Sequence, residues 1–256
     1  MYIENKFKEE KPCSMTIAGL DPSAGAGLLA DLKTFQAHDI YATCVCSTLT
    51  AQNPFEVKNV EKVDPSFISD EIDMIMDAYP IKYIKTGVLY ANDIIKIVNK
   101  KVVEYDLSVI VDPVMISESG CDLSSDNFAD NLKENLLKNA YLTTPNIHEA
   151  EQLTNMKIQT EDDMINAALK LNKYCNCVIT GGHLYGNDIL CVDGEITKIK
   201  GNMIKSDNTH GTGCNYSASI TSNLIHEKSL KQSCHNANKY IQKAIMNGFY
   251  NTPYQF

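Results

Sequence analysis

The sequence predicts an α/β fold: a doubly wound, mostly parallel sheet with helices on both faces and one antiparallel hairpin at an edge. Three observations carry this. From about residue 14 to residue 187, short β-type runs alternate with longer helical patterns. The run Val109-Ile110-Val111 is apolar without interruption, as befits a strand covered on both faces. Unusual residues cluster just after predicted strands, at Asp21 to Gly27, Gln52-Asn53, Thr86-Gly87, Asp112 to Gly120, Pro145 to Glu149 and Gly181 to His183. Open α/β sheets bind ligands at that edge.

The elements follow in order. "SMTIAG" (14 to 19) reads as a strand, and after a glycine-rich turn Leu28, Leu32 and Phe35 share one helical face. "YATCVCSTLTAQ" (41 to 52) is a second strand ending at the turn Asn53-Pro54. Asp64-Pro65 reads as an N-cap with proline at the first helical position, opening a helix that carries Ile68, Ile72, Ile75 and Tyr79. "IKYIKTG" (81 to 87) is the third strand, and Asn92 or Asp93 caps a helix with Ile94, Ile97, Val98 and Val102 before the strand at 109 to 111. A helix near 126 to 138, the strand "AYLTT", a short helix near 147 to 154, a Thr160-capped helix near 161 to 174 and the strand "CVIT" continue the alternation. "DILCV" and "ITKIK" then flank Asp193-Gly194, a two-residue hairpin signal, and two helices follow near 213 to 226 and 229 to 248.

Composition bounds the function. The chain has 256 residues, and we expect a polar tail over 1 to 13 and a single domain over 14 to 256. The opening "MYIENKFKEEKP" has no apolar core segment and no run approaches a bilayer span, so a cytoplasmic protein without membrane partners is expected. A net charge of −9 without a basic, aromatic-interleaved block disfavours nucleic acid. Nine cysteines, an odd number without a secretory signal, read as free thiols. Cys44, Cys46, Cys175 and Cys177 alternate on strands and are expected to pack in the core.

Four motifs bear chemistry. Gly25-x-Gly27-x-x-Ala30 matches the loose dinucleotide fingerprint, but five residues precede it after the strand and no acid follows near 45 to 51. A tight packing turn is one alternative; a substrate lying on bare backbone, with Asp31 offering a carboxylate, is another. "THGTGC" (209 to 214) lacks the lysine of a P-loop, yet Gly211, Thr212 and Gly213 expose N–H donors at a helix N-terminus, an anion site. Cys214 at that terminus is either a thiol of lowered pKa or a small packing residue, and His210 either a base or a packing residue. Asp112, closing a buried strand, serves a metal or phosphate or else caps its turn. Asn146 and Glu149 stand three apart at a helix start, suiting magnesium or forming a capping box.

Taken together, "TIAGLDPSAGAGLLADLKTF", "TAQN", "IKTGVL", "VDPVM" with a later "SG", "TPNIHEAEQL", "GGH" and "NTHGTGC" occur collinearly between about Met15 and Ile225. In this order they resemble the hydroxymethylpyrimidine and phosphomethylpyrimidine kinases of thiamine biosynthesis, a branch of the ribokinase-like superfamily without the sugar kinases' separate lid domain. The resemblance implies transfer of phosphate from MgATP to 4-amino-5-hydroxymethyl-2-methylpyrimidine and then to its monophosphate, by a homodimer. It implies that Gly19, Asp31, Gln52, Val88 and Val114 line the pyrimidine pocket and that Asn146, Thr180, Gly182 and His210 contact ATP or its phosphates. Asp112 and Glu149 would hold magnesium, and Gly211, Thr212, Gly213 and Cys214 would form the catalytic anion hole, with Cys214 in the place of the sugar kinases' aspartate base.

Three departures stand against that pattern: Thr180 and Glu118 where lysine is common, and an end at Phe256 without the family's Gly/His-rich tail. The rival within the fold is pyridoxal kinase, which adds a second cysteine where this chain has Ser117. Gln52, with both donor and acceptor, favours the aminopyrimidine. A non-catalytic binding protein is the rival of another class, and it would not require Asp112, Glu149 and Cys214 together.

Overall fold

A computed structural model describes residues 11–115, 127–182, 184 and 186–256. Ser117, Glu118, Gly120, His183 and most of the polar tail lie outside the described residues. Nine strands form one sheet in the order β3-β2-β1-β4-β5-β6-β7-β8-β9. They are β1 (Cys13–Leu20), β2 (Tyr41–Asn53), β3 (Glu56–Lys62), β4 (Tyr83–Thr86), β5 (Ser108–Val111), β6 (Leu142–Thr143), β7 (Asn176–Ile179), β8 (Asp188–Val192) and β9 (Glu195–Ile199). Strands β2, β1, β4, β5, β6 and β7 run parallel, so their carboxyl ends share one edge of the sheet.

The predicted hairpin is present as β8–β9, with Asp193 and Gly194 both at positive φ. Such a turn matches the twist of the strands it joins. At the opposite edge the structure adds β3, which the sequence reading left out, antiparallel to β2. The register of β2 against β3 shifts between Ala51 and Gln52, and a bulge of this kind re-aims the side chain next to it.

The helices among the described residues are α1 (Gly27–Ala37), α2 (Pro65–Ala78), α3 (Asn92–Glu104), α4 (Phe128–Asn135), α5 (Ile147–Thr154), α6 (Glu161–Leu171), α7 (Thr212–Ile225) and α8 (Leu230–Met246). Helices α2 to α6 cover one face through Ile68, Ile94, Leu132, Leu153 and Met164, while α1, α7 and α8 cover the other through Phe35, Ile220 and Ala237. Asp64 caps α2 and Thr160 forms a capping box on α6, as their sequences suggest. Helix α3 is a correction: its N-cap is Ala91, and Asn92 and Asp93 already lie in its first turn. Cys175 and Cys177 are buried, but Cys44 is exposed and Cys46 half-buried, because β2 lies near the sheet edge and is only partly covered.

One polar knot ties the hairpin edge to the α7–α8 layer. Asp188, buried at the start of β8, accepts from Tyr216 Oη at 2.9 Å, Asn238 Nδ2 at 2.7 Å and the Gly181 N–H at 3.1 Å. Asp188→Ala would strand three buried donors, so unfolding in urea is expected to show a loss of about 3 kcal/mol. A midpoint within error of the wild type would contradict the knot's importance.

Among the described residues, no helix is long and apolar enough to cross a membrane.

Candidate active site

The strand carboxyl ends and the start of α7 enclose a cavity of about 640 Å³. Sheet order arranges its wall. Gly19, Gln52 and Val88, from the ends of β1, β2 and β4, line one side, and Asp112 and Val114 after β5 the middle. Thr144, Asn146, Thr180 and Gly182 after β6 and β7 continue it, and Met203, Ile204, Ile241 and Ile245 add an apolar wall. Of the expected site residues only Asp31 does not line the cavity.

Asp31 is 0% exposed. Its carboxylate accepts from Thr16 Oγ1 at 2.6 Å and from Lys85 Nζ at 2.9 and 3.0 Å, so it stands beneath the wall and is already engaged. A pocket-lining Asp31 is therefore corrected. The reason is helical phase: Asp31 falls on the stripe of Leu28 and Phe35 that faces the core.

The turn before α1 and the segment before α7 are fastened together. Asp21 accepts from Ser23 and the Ala26 N–H, and its Oδ2 lies 2.8 Å from His210 Nε2. Burial pushes the Asp21 carboxyl up, but hydrogen bonds from His210, Ser23, Ala26 and Gln52 outweigh it and hold the group well below the usual carboxylate range. Asp21 thereby also anchors Gln52 at the cavity. Gly211 adopts φ +88°, and a Cβ there would meet Gly25 O at 2.0 Å. Only glycine allows both the turn and the contact.

At the start of α7 the anion hole is narrower than the sequence suggests. The Thr212 N–H is bound to Thr209 O and the Asn215 N–H to Gly211 O. The N–H groups of Gly213 and Cys214 have no backbone acceptor among the described residues. These two orphan donors at the positive end of a helix of 14 residues could receive an anion. Cβ-less Gly213 leaves the Asp112 carboxylate open from above: a Cβ would lie 3.9 Å from both its oxygens.

Cys214 is 9% exposed. Burial pushes its thiol up to about 12, with Asp112 and Asp31 adding to the rise and Lys85 and the Gly27 N–H opposing it. The thiolate expected from the helix terminus is thus corrected: desolvation exceeds the pull of the terminus. The sulfur carries its proton at neutral pH.

Asp112 and Glu149 lie together under this site. Burial raises Glu149 well above its usual range, the Asp112 charge raises it further, and the Asn146 N–H and Lys85 oppose. Burial also raises Asp112, against Lys85 and Ser217. The capping box is real as well: Asn146 Oδ1 accepts from the Glu149 N–H and Glu149 Oε2 from the Asn146 N–H, both at 2.9 Å. Two crowded carboxyls raised by burial suit a cation that would relieve them. Among the described residues no cluster of three or more such side chains could hold a metal by itself. The pair fits a magnesium ion that takes its other ligands from water and phosphate. Thr144, which the sequence reading passed over, lines the cavity with a buried hydroxyl that has no partner among the described residues.

The chain is similar to known proteins in sequence and in fold. Residues 21–254 match the model of the phosphomethylpyrimidine kinase family. The chain is 38% identical over 237 residues to a thiamine biosynthesis bifunctional protein of Geobacter sulfurreducens, covering 90% of this chain and 48% of that longer protein. It is 36% identical to a hydroxymethylpyrimidine/phosphomethylpyrimidine kinase of Bacillus subtilis, covering 91% of this chain and 89% of the other. A crystal structure of an ADP complex of Bacillus subtilis pyridoxal kinase superposes with a TM-score of 0.85 at 34% identity, covering 94% of this chain and 93% of that one. With this sequence match and this doubly wound sheet, the chain belongs to the phosphomethylpyrimidine kinase family.

Proposed function

We propose that the protein phosphorylates 4-amino-5-hydroxymethyl-2-methylpyrimidine and then its monophosphate, at the expense of ATP, in the thiamine pathway. One observation carries the reading: a single cavity joins the niche of Gly19, Val88 and Val114, with the Gln52 amide as its polar edge, to the apolar wall of Met203, Ile204, Ile241 and Ile245, and Gly213 and Cys214 line it between them. An aminopyrimidine fits the first part and an adenine ring the second. The relatives' names and the ADP-bound neighbour support the same division.

Transfer then works by position and electrostatics. Gln52, held by Asp21, meets the pyrimidine edge with donor and acceptor. The orphan N–H pair of α7 stabilises charge on the phosphoryl group in flight. Thr180, Gly182 and Asn146 would meet the phosphates from the strand ends and His210 from the segment before α7. Asp112 and Glu149 would hold magnesium, which when bound neutralises phosphate charge. Cys214, protonated before substrate binds, orients the substrate hydroxyl, whose proton passes late, as the new P–O bond forms and the bond to ADP breaks, to an oxygen of the transferred phosphoryl group. A cytoplasmic homodimer completes the proposal, and sedimentation at micromolar concentration tests the oligomer.

Gln52→Leu tests the pocket. Calorimetry should show pyrimidine binding weakened at least about 10-fold with ATP binding unchanged, the cost of an unpaired polar edge. Equal loss of both ligands would reject the assignment. Pyridoxal kinase is the second reading, favoured by the ADP-bound neighbour's high structural similarity.

A further inference from the structure

The sheet holds a buried ammonium that this mechanism leaves unused. Lys85 projects from β4 into the layer beneath α1 and α7 and is 0% exposed. A buried ammonium is costly unless paired, and replacing a buried ion pair by apolar side chains is often neutral or stabilising. Packing alone therefore gives little reason for a lysine here. Its Nζ donates to Asp31 at 2.9 and 3.0 Å and stands 3.6 Å from Asp112 Oδ2. Asp112 is bound in turn to α7 by Ser217 Oγ at 3.2 Å. The strand makes room for the ammonium: a Cβ on Gly87, two residues along, would lie 3.0 Å from Lys85 Nζ and 3.0 Å from Ala18 Cβ. Lys85 and Gly87 of "IKTG" therefore work as a unit, glycine clearing the space that the charge occupies.

We infer that Lys85 is a positioning residue for phosphoryl transfer, its ammonium fixing Asp112, and through Ser217 helix α7, beneath the anion hole. Asp31, bonded at 2.9 and 3.0 Å, and Asp112, at 3.6 Å, pair the ammonium under the cavity. The charge faces Asp31 of α1, Asp112 after β5 and Cys214 of α7, with Thr16 of β1 completing the shell through Asp31. Asp31 fixes the ammonium; the ammonium fixes the reacting floor. This rests on the kinase reading and adds a residue to it.

The test compares the full chain with Lys85→Met, Asp31→Asn and the double variant. Lys85→Met should lower kcat on the order of 30-fold, less than the loss of a direct oxyanion donor. KM for both substrates should stay within about threefold. Lys85→Met alone leaves Asp31 buried without its cation and should lower the unfolding temperature, whereas the double variant, which removes the pair, should largely keep it, with all kinetics read well below either transition. If Lys85 served only to neutralise Asp31, removing both charges would restore turnover. We expect the double variant to remain as slow as Lys85→Met while Asp31→Asn alone keeps at least about a tenth of wild-type turnover. Recovery in the double variant, an equal loss in Asp31→Asn alone, or unchanged kcat in Lys85→Met would each overturn the inference. So would an activity loss that only follows unfolding, and should Lys85→Met fail to fold, Lys85→Gln is read in the same way. The assay uses whichever of the pyrimidine alcohol or pyridoxal the wild type phosphorylates faster, or alcohol-free ATP hydrolysis if it accepts neither. A wrong substrate assignment thus changes the acceptor and leaves the ratio between variants to be read.

Discussion

Cys214→Ala is expected to lower kcat by about 100-fold while KM for ATP stays within a few fold, the signature of a group that acts on the reacting hydroxyl. Cys214→Ser, which keeps a small hydrogen-bonding group, should recover part of the loss. The thiol's state gives this prediction a second readout. Free cysteines ionise near pH 8.5 to 9, whereas burial holds Cys214 up to about 12. Iodoacetamide alkylation of Cys214 in the unliganded enzyme, followed by mass spectrometry, should therefore remain slow through pH 9 and still be rising at pH 10. A thiolate base poised at neutral pH would instead react fastest of the cysteines, with a midpoint below 8, and would restore the reading in which Cys214 removes the proton outright. Turnover of Cys214→Ala near the wild-type value would remove the residue from the chemistry altogether.

Gly211→Ala is expected to abolish most activity and to lower stability together. At φ +88° an alanine is strained, and its Cβ would meet the Gly25 carbonyl at 2.0 Å, so the turn before α7 must move away from the turn before α1. Moving it shifts the Gly213 and Cys214 N–H groups off the phosphoryl path. A displacement of about 1 Å can cost on the order of 100-fold in rate. Kinetics and thermal unfolding of the same sample check both halves, and Gly213→Ala is the control. There a Cβ meets only the Asp112 oxygens at 3.9 Å, so stability should hold. A Gly211→Ala enzyme with wild-type turnover would mean that this junction does not set the anion hole.

Much of this was legible in the sequence because the signals are local. The stripe of Leu28 and Phe35, the cap at Asp64-Pro65, the capping box at Thr160 and the turn at Asp193-Gly194 each depend on residues within a few positions of one another. The site residues at strand ends followed from the alternation of elements. What escaped depends on partners distant in the chain or on broken periodicity. In β3, Val57 and Val60 are the half-buried residues, three apart because the bulge opposite Ala51 and Gln52 interrupts the alternation that marks a strand. Asp31 reads as a substrate carboxylate both from the glycine turn before it and from the resemblance, although its place on the apolar stripe of α1 signals a buried carboxylate in need of a cation. That cation, Lys85, lies 54 residues away. Cys214 was misjudged for a related reason: a helix terminus is visible in a sequence, whereas the desolvation that opposes it appears only once α1, β5 and α7 pack together.

The central claim is that this cavity moves a phosphoryl group from ATP to an aminopyrimidine alcohol. Its most direct test is one kinase assay with MgATP and, side by side, 4-amino-5-hydroxymethyl-2-methylpyrimidine, its monophosphate and pyridoxal, each product resolved by mass spectrometry. Phosphorylation of both pyrimidines is expected, with kcat/KM for the alcohol at least about 10-fold above that for pyridoxal, the discrimination Gln52 supplies by hydrogen bonding. A higher kcat/KM for pyridoxal, or no transfer to either pyrimidine, would contradict it.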